Sequence, residues 1–574
     1  MKKRIISMLL ATTLCGAALT ACSGSDAGSS ESAAESKEET TVETAAAAED
    51  SAAVEAEANE DITLTVWVPD SMRIEDWNTN DMTLWFEEQL GYDLEIVPLS
   101  SEDYITKVNM SLTAGNIEDL PDVIMGTFGG STAFNDSYVW SWAQAETIVP
   151  LTEYYENPEL TVNIQEAIER TGVDYTQQIV SPDGNIYGVA SYNQSYGNEY
   201  VDKLWIYEPW LNELGLEVPK TVEEFYEVLK QVCATDLNGN GKKDEIGMLG
   251  SNDTYANYIK VIMNAFVYSG DPQYRTVEDG VVSAAYTTEE WKESLKFLKK
   301  MFDEGLIAPE SLTMTDDQYD TLYYSETPMV FSFVQASPGM VTSETREGDE
   351  YTAIDTLTGP NGVNYASYTP SVANTTMVVT ANCENPEAAF RLGDLMSCEY
   401  IGISQRWGEE GIDWDYVKNM EDSSKYKASV DGFEMSIFTY DDAEFWSGTE
   451  ATNRSWRQTG PYIRQYGIAN GWAMEADGGD NFTRKTNAAM TLYQTSGHAP
   501  EEVIPKLIYT EDETEIVSEV ESVLKSYVDE CLASFVTGTK DIDAEWDNYL
   551  AELEKIGLGE YLEVVQGVYD RMYK

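Results

Sequence analysis

The chain has 574 residues, and its 102 acidic against 35 basic residues give a formal net charge of −67. A polyanion of this kind is a poor partner for nucleic acid and is repelled by anionic lipid surfaces, since both require a basic patch. A single histidine argues against His-based zinc sites and triads of the usual form, while 42% hydrophobic residues allow a large core divided between lobes.

In chain order, Met1-Lys2-Lys3-Arg4 precedes an apolar run from Ile5 to Leu14 and a small-residue tail ending Leu19-Thr20-Ala21-Cys22. That order is a secretory signal over residues 1–21. Its apolar run is shorter than the roughly 20 residues that span a bilayer. The last four residues resemble the bacterial lipobox, so Cys22 is the expected lipidated N-terminus. Residues 22–60 then contain no aromatic and no proline, and read as a disordered acidic tether. Such a coil reaches about 35 Å.

The folded body opens at Asp61. Ile62, Leu64, Val66 and Val68 alternate with polar neighbours as a strand, followed by a helix near Thr79–Leu90, a strand at Asp93–Pro98 and a helix from Ser101 to Ala114. Leu120–Met125 is a third, buried strand ending at Gly126. Strands separated by helices predict βαβ units and a parallel sheet, with ligands outside the carboxyl ends of the strands. Thr221 with Glu224, and Thr510 with Glu513, form capping boxes that open helices. Apolar spacing predicts three helices after Thr510, with stops at Gly538 and Gly557.

Cysteine spacing predicts no dependence on disulfides. Cys15 leaves with the signal, and 15 residues of helix put Cys383 and Cys398 about 20 Å apart, too far to bridge. Cys233 and Cys531 fall on apolar helix faces.

The most specific chemical motif is Asp236-Leu-Asn238-Gly-Asn240-Gly241-Lys242-Lys-Asp244-Glu245. Oxygen side chains at positions 1, 3 and 5 and a glycine at 6 match a calcium loop, with the Lys242 carbonyl next and Asp244 at position 9. The usual Glu at position 12 is replaced by Gly247, and Glu245 offers a carboxylate in its place. The predicted ligands of a structural Ca2+ are therefore Asp236, Asn238, Asn240, Lys242, Asp244 and Glu245. The alternative is an unliganded Asx-rich turn.

Several segments resemble the extracellular solute-binding lipoproteins of ABC importers, in the oligosaccharide branch that includes alginate-binding members. They are Ala114-Gly115 with Leu120-Pro121-Asp122-Val123, Asp183-Gly184 with Tyr187-Gly188-Val189, and Leu214-Gly215-Leu216 with Pro219-Lys220-Thr221. Gly408-Glu409-Glu410-Gly411 and the ending from Phe535 to Arg571 follow the same pattern. The resemblance implies an α/β fold of the two-lobed periplasmic-binding-protein type (type II). Each lobe would be a mostly parallel sheet flanked by helices, with extra C-terminal helices. It places the first lobe at 61–200 plus 365–425 and the second at 201–364 plus 426–574, with crossings near Trp205 and Tyr365. It further implies a monomer at the outer face of the cytoplasmic membrane, without catalytic residues, delivering an oligosaccharide to ABC permease subunits.

Aromatic planes suit the C–H faces of sugars. Strand ends and glycine-broken loops nominate Asp70, Thr127, Phe128, Tyr192, Asn193, Phe333, Trp407 and Trp446 as ligand contacts. Trp407 ranks first because it abuts the Gly-x-Glu-Gly segment. The run Arg454–Lys485 concentrates Arg454, Arg457, Arg464, Arg484 and Lys485, either for a uronic-acid ligand or to pair with local acids. Two other classes stay open: a lipid-anchored glycoside hydrolase using a carboxylate pair, and a binder of peptides or another polar nutrient on the same fold.

Overall fold

Leu64, Val66 and Val68 bury one face of the strand Thr63–Pro69, and the helix behind it runs Asp81–Leu90 from an Asn80 cap that accepts the Met82 N–H. The computed structural model describes residues 62–251, 258–337, 350–440, 450–476 and 481–574. Cys22, the tether and Trp446 lie outside them. The first sheet has six strands in the order Ile463–Arg464, Val189–Asn193, Ala373–Val379, Val123–Met125, Thr63–Pro69 and Asp93–Leu99. All pairings are parallel except those of Ala373–Val379, which runs against both neighbours. The second sheet has the order Tyr351–Ile354, Lys203–Tyr207, Val330–Gln335 and Ile246–Leu249.

Two lobes result. The second is less parallel than expected, because Lys203–Tyr207 is antiparallel to both neighbours. One physical reason covers both exceptions. Each antiparallel strand is the first after the chain crosses between sheets, so it starts at the facing edge and runs away from it. All five residues of Lys203–Tyr207 are buried, as helices cover both faces of this sheet.

The domain limits also differ from expectation in one place. Ile463 and Arg464, assigned with 426–574 to the second lobe, pair with Tyr192 and Asn193 in the first sheet. A two-residue edge strand leaves too little periodicity to read.

The helices Glu511–Val536, Ile542–Ile556 and Leu558–Tyr573 close the second lobe. Val517, Leu524, Val528, Phe535, Trp546 and Tyr561 from them join one core with Trp291, Leu298 and Phe333. The Thr510–Glu513 capping box forms, and the Arg571 guanidinium grips the same Glu513 carboxylate at 2.6 and 2.9 Å. All four described thiols are free. Among the described residues no helix is long and apolar enough to cross a membrane.

Candidate ligand-binding site

The carboxyl ends of the first sheet's strands bring distant residues together. Asn193 and Arg464 end neighbouring strands in register, and Arg464 Nε donates to Asn193 Oδ1 at 2.8 Å. The Arg464 guanidinium lies 5.4 Å from the ring centre of Trp407 and 5.9 Å from that of Tyr462. Phe128 meets the Tyr462 ring at 6.1 Å. Phe128, Asn193 and Trp407 of the predicted set thus gather round Tyr462 and Arg464. Thr127 stands beside them, bridged to Thr459, and Asp70 is exposed at the end of its own strand.

Two predicted contacts take core positions instead. Tyr192 is 4% exposed and stacks on Tyr175, with ring centres 5.5 Å apart. Phe333 is fully buried, between Tyr323 at 4.7 Å and Tyr351 at 4.9 Å. Neither ring offers a face to a ligand, because each points into a helix-covered side of its sheet. Tyr462, 2% exposed, is likewise a core ring, packed behind Phe128 and the Arg464 guanidinium. Arg464 is the site residue that strand and loop ends alone did not nominate, since its two-residue strand leaves no periodicity.

The loop carrying Arg464 is fixed from both sides. Trp456 is fully buried, donates from Nε1 to Thr83 Oγ1 at 2.9 Å, and packs on Trp77 and Phe86. Arg457 and Gln458 hold left-handed backbone, φ 53° and 66°. The buried Gln405 amide then secures the turn, accepting the Gln458 N–H at 2.7 Å and donating to the Thr459 carbonyl at 2.9 Å. Helix Glu399–Trp407, which ends at Trp407, sits close enough that a Cβ on Gly402 would meet the Ile463 carbonyl at 2.0 Å. Only glycine allows this approach.

Burial dominates the electrostatics. It lowers the Arg464 pKa from its ordinary value, and lowers that of Arg406 to about 10 with help from the Arg464 charge. Where the chain crosses between sheets, Glu199 is 3% exposed and accepts from Ser371 Oγ at 2.7 Å and from the Tyr466 hydroxyl at 2.5 Å. Burial raises its pKa despite those hydrogen bonds. Lys203, fully buried, donates to the Tyr200 carbonyl, and burial lowers its pKa to about 8.

Glu409 of the Gly-x-Glu-Gly segment lines a separate pocket of about 280 Å³ with Asp81, Trp85, Tyr400 and Arg454. Arg454 is held there by Asp413. That member of the basic run pairs with a local acid.

The oxygens of the loop Asp236–Glu245 are divided between hydrogen-bonded and unpartnered ones. Gly239 and Gly241 take left-handed φ of 72° and 83°. Asp236 Oδ2 accepts the Gly241 N–H at 2.9 Å, and Glu245 Oε1 accepts the Leu237 and Asn238 N–H groups at 2.7 and 3.1 Å. The second oxygen of each carboxylate, Asp236 Oδ1 and Glu245 Oε2, is buried with no hydrogen-bond partner. Two orphaned anionic oxygens in an Asx-rich loop fit a hard cation. No three acidic, His or Cys side chains converge among the described residues. Asp236, Asp244 and Glu245 therefore do not come together here: Asp244 Oδ1 accepts from Asn240 Nδ2 at 2.9 Å, and the Asn238 and Asn240 side-chain oxygens accept backbone N–H groups of the loop.

The sequence pattern of the bacterial extracellular solute-binding proteins matches residues 70–397, more than half of the chain. The chain belongs to that family. Among solute-binding relatives it is 24% identical over 503 residues to the fructooligosaccharide ABC transporter substrate-binding protein FusA of Streptococcus pneumoniae, covering 84% of this chain and 86% of FusA. FusA has been solved as an EF-hand mutant in complex with fructo-nystose, with TM-score 0.64, 21% identity, and 89% and 99% of the two chains covered. An HMO-binding solute-binding protein of Bifidobacterium longum infantis superposes with TM-score 0.70 at 21% identity over 89% and 99%. The alginate-binding protein AlgQ2, solved without calcium ion, gives 0.60 at 17% over the same shares. These solved structures share the two-lobed fold.

Proposed function

We propose that this solute-binding protein captures an oligosaccharide between its lobes and delivers it to the permease of an ABC importer, without chemistry of its own. The observation that carries the reading is the cluster of the half-buried rings Phe128 and Trp407 with Asn193 and Arg464 at the carboxyl edge of the first sheet, backed by the buried Tyr462. Aromatic faces with a few fixed polar groups suit a glycan. FusA is named for fructooligosaccharides, and the relative YtcQ for polygalacturonan and rhamnogalacturonan. Asp70 and Thr127 complete the same edge. Ligand contact with both lobes draws them together about the crossings Asn193–Lys203 and Ile354–Ala373. Lobe limits follow the two sheets, with Ile463–Arg464 in the first.

A calcium ion stabilises the second lobe, held by Asp236, Asn238, Asn240, the Lys242 carbonyl, Asp244 and Glu245. It supplies the missing partner to Asp236 Oδ1 and Glu245 Oε2. Cys22 carries the lipid, and residues 23–60 let the body reach its permease from the outer face of the cytoplasmic membrane, raising local concentration. The protein acts as a monomer.

Calorimetry of the full chain against a panel of neutral and acidic oligosaccharides tests this. At least one glycan binds without being cleaved, and Trp407→Ala weakens it by about 1–3 kcal/mol, as loss of an aromatic contact does. Tight binding of peptides with no binding of any glycan overturns the reading.

A further inference from the structure

We propose that Arg464 is the recognition point for a carboxylate-bearing sugar, a uronic acid whose ring lies on Trp407. This rests on the reading of the cleft as an oligosaccharide site and adds the charge of its ligand.

In a chain of 102 acids and 35 bases, a buried guanidinium is expected to pair with a carboxylate. Arg275 shows the ordinary solution: Asp271 grips it through Nε at 3.0 Å and Nη2 at 3.1 Å. Arg464 is handled differently. It is 8% exposed, yet among the described residues its side chain meets a neutral amide, Asn193 Oδ1, and no carboxylate lies within ion-pair distance. A buried cation held by neutral groups keeps its charge available to an incoming anion, where a resident Asp would cancel it. Asn193 fixes Nε and thereby the plane of the fork, leaving Nη1 and Nη2 without a hydrogen bond among the described residues. A planar fork matches a carboxylate in two parallel bonds.

Position supports the assignment. Arg464 is the last residue of its strand, on the carboxyl edge where ligands of α/β sheets bind. Trp407 beside it is half-buried with the guanidinium over its ring, so a sugar whose carboxylate meets the fork is brought against the same indole. Arg406 stands close enough for the Arg464 charge to lower its pKa, so positive charge is concentrated here against the −67 of the whole chain. That local reversal of sign is what an acidic glycan needs to approach a polyanionic protein. The loop is built to hold this geometry: Gln405 locks its turn, and Gly402 lets the helix bearing Trp407 close on Ile463.

The test titrates the full chain with trigalacturonate, its methyl ester and maltotriose. Trigalacturonate binds at least about tenfold more tightly than its ester, the size expected for one charge-assisted pair. Arg464→Gln abolishes that preference while its thermal midpoint stays near that of the parent. Because Arg464→Gln could disturb the loop, the ester comparison on the unaltered chain decides by itself. Equal binding of acid and ester, or binding of maltotriose alone, overturns the uronate assignment and leaves the oligosaccharide reading standing. Binding of none of the three, with tight binding of peptide, overturns both.

Discussion

Arg464 and Glu199 are buried ionisable groups near the junction of the lobes, and each is held by uncharged partners. Glu199 accepts from Ser371 on the returning crossing and from Tyr466 beyond Arg464, so one carboxylate ties three passes of chain. Its folded pKa lies above the ordinary 4.5, through burial. Folding therefore takes up protons above pH 4.5. Stability from this group is fully present below that value and is lost as pH rises through the raised one. Glu199→Gln should thus be more stable than the parent at pH 8, with the difference vanishing below pH 4. Thermal melts across that range check it, and equal destabilisation at both ends would mean the hydrogen bonds favour the charged form. At this scale the sequence could nominate Trp407 and Asn193 from strand and helix ends. It could not separate Tyr192 from Asn193, since one residue's step along a strand moves a side chain to the opposite face.

Elements were most legible where local chemistry starts and stops them. The Thr221–Glu224 capping box opens Val222–Cys233 with both reciprocal hydrogen bonds. Thr510–Glu513 opens a 26-residue helix in the same way. These signals depend on residues three apart, so they survive any tertiary context. Contacts between elements left no such mark. Gly402 reads as an ordinary helix residue, yet it admits the Ile463 carbonyl. Gly402→Ala should push the strand Ile463–Arg464 from the helix and cost about 1–3 kcal/mol of stability, in the range of overpacked sites. Glycan affinity should fall with it. Differential scanning calorimetry and titration would measure the two losses, and unchanged values would show that the helix simply shifts. The loop Asp236–Glu245 makes the next test. Chelation should lower the thermal midpoint, and calcium at a hundred times its dissociation constant should restore about 3 kcal/mol. Asp236→Asn should erase that response. A parent chain indifferent to chelator would return the loop to an Asx-rich turn.

On the scale of the whole molecule, the C-terminal segment ties the lobes as well as closing the second. Lys506 Nζ reaches Asp136 at 2.9 Å and the Ala373 carbonyl at 2.7 Å, both on the first lobe's side, while the helices after it bury against the second. The proposed anchor at Cys22 is a separate matter from this framework. Cys22→Ser should release the protein from the membrane or leave it unprocessed while glycan affinity stays unchanged. Fractionation and calorimetry check the two halves, and loss of affinity would mean that anchor and binding are not independent. The sequence by itself determined three strands of the first sheet, the capped helices and the glycine turns of the loop Asp236–Glu245, because each is specified by neighbours within a few residues. Only the tertiary structure decided the direction of the two crossing strands, the place of Ile463–Arg464 in the first sheet, and the meeting of Phe128, Asn193, Trp407 and Tyr462 around one guanidinium. Those depend on pairings between residues up to hundreds of positions apart, and no local pattern encodes which distant surface a side chain will face.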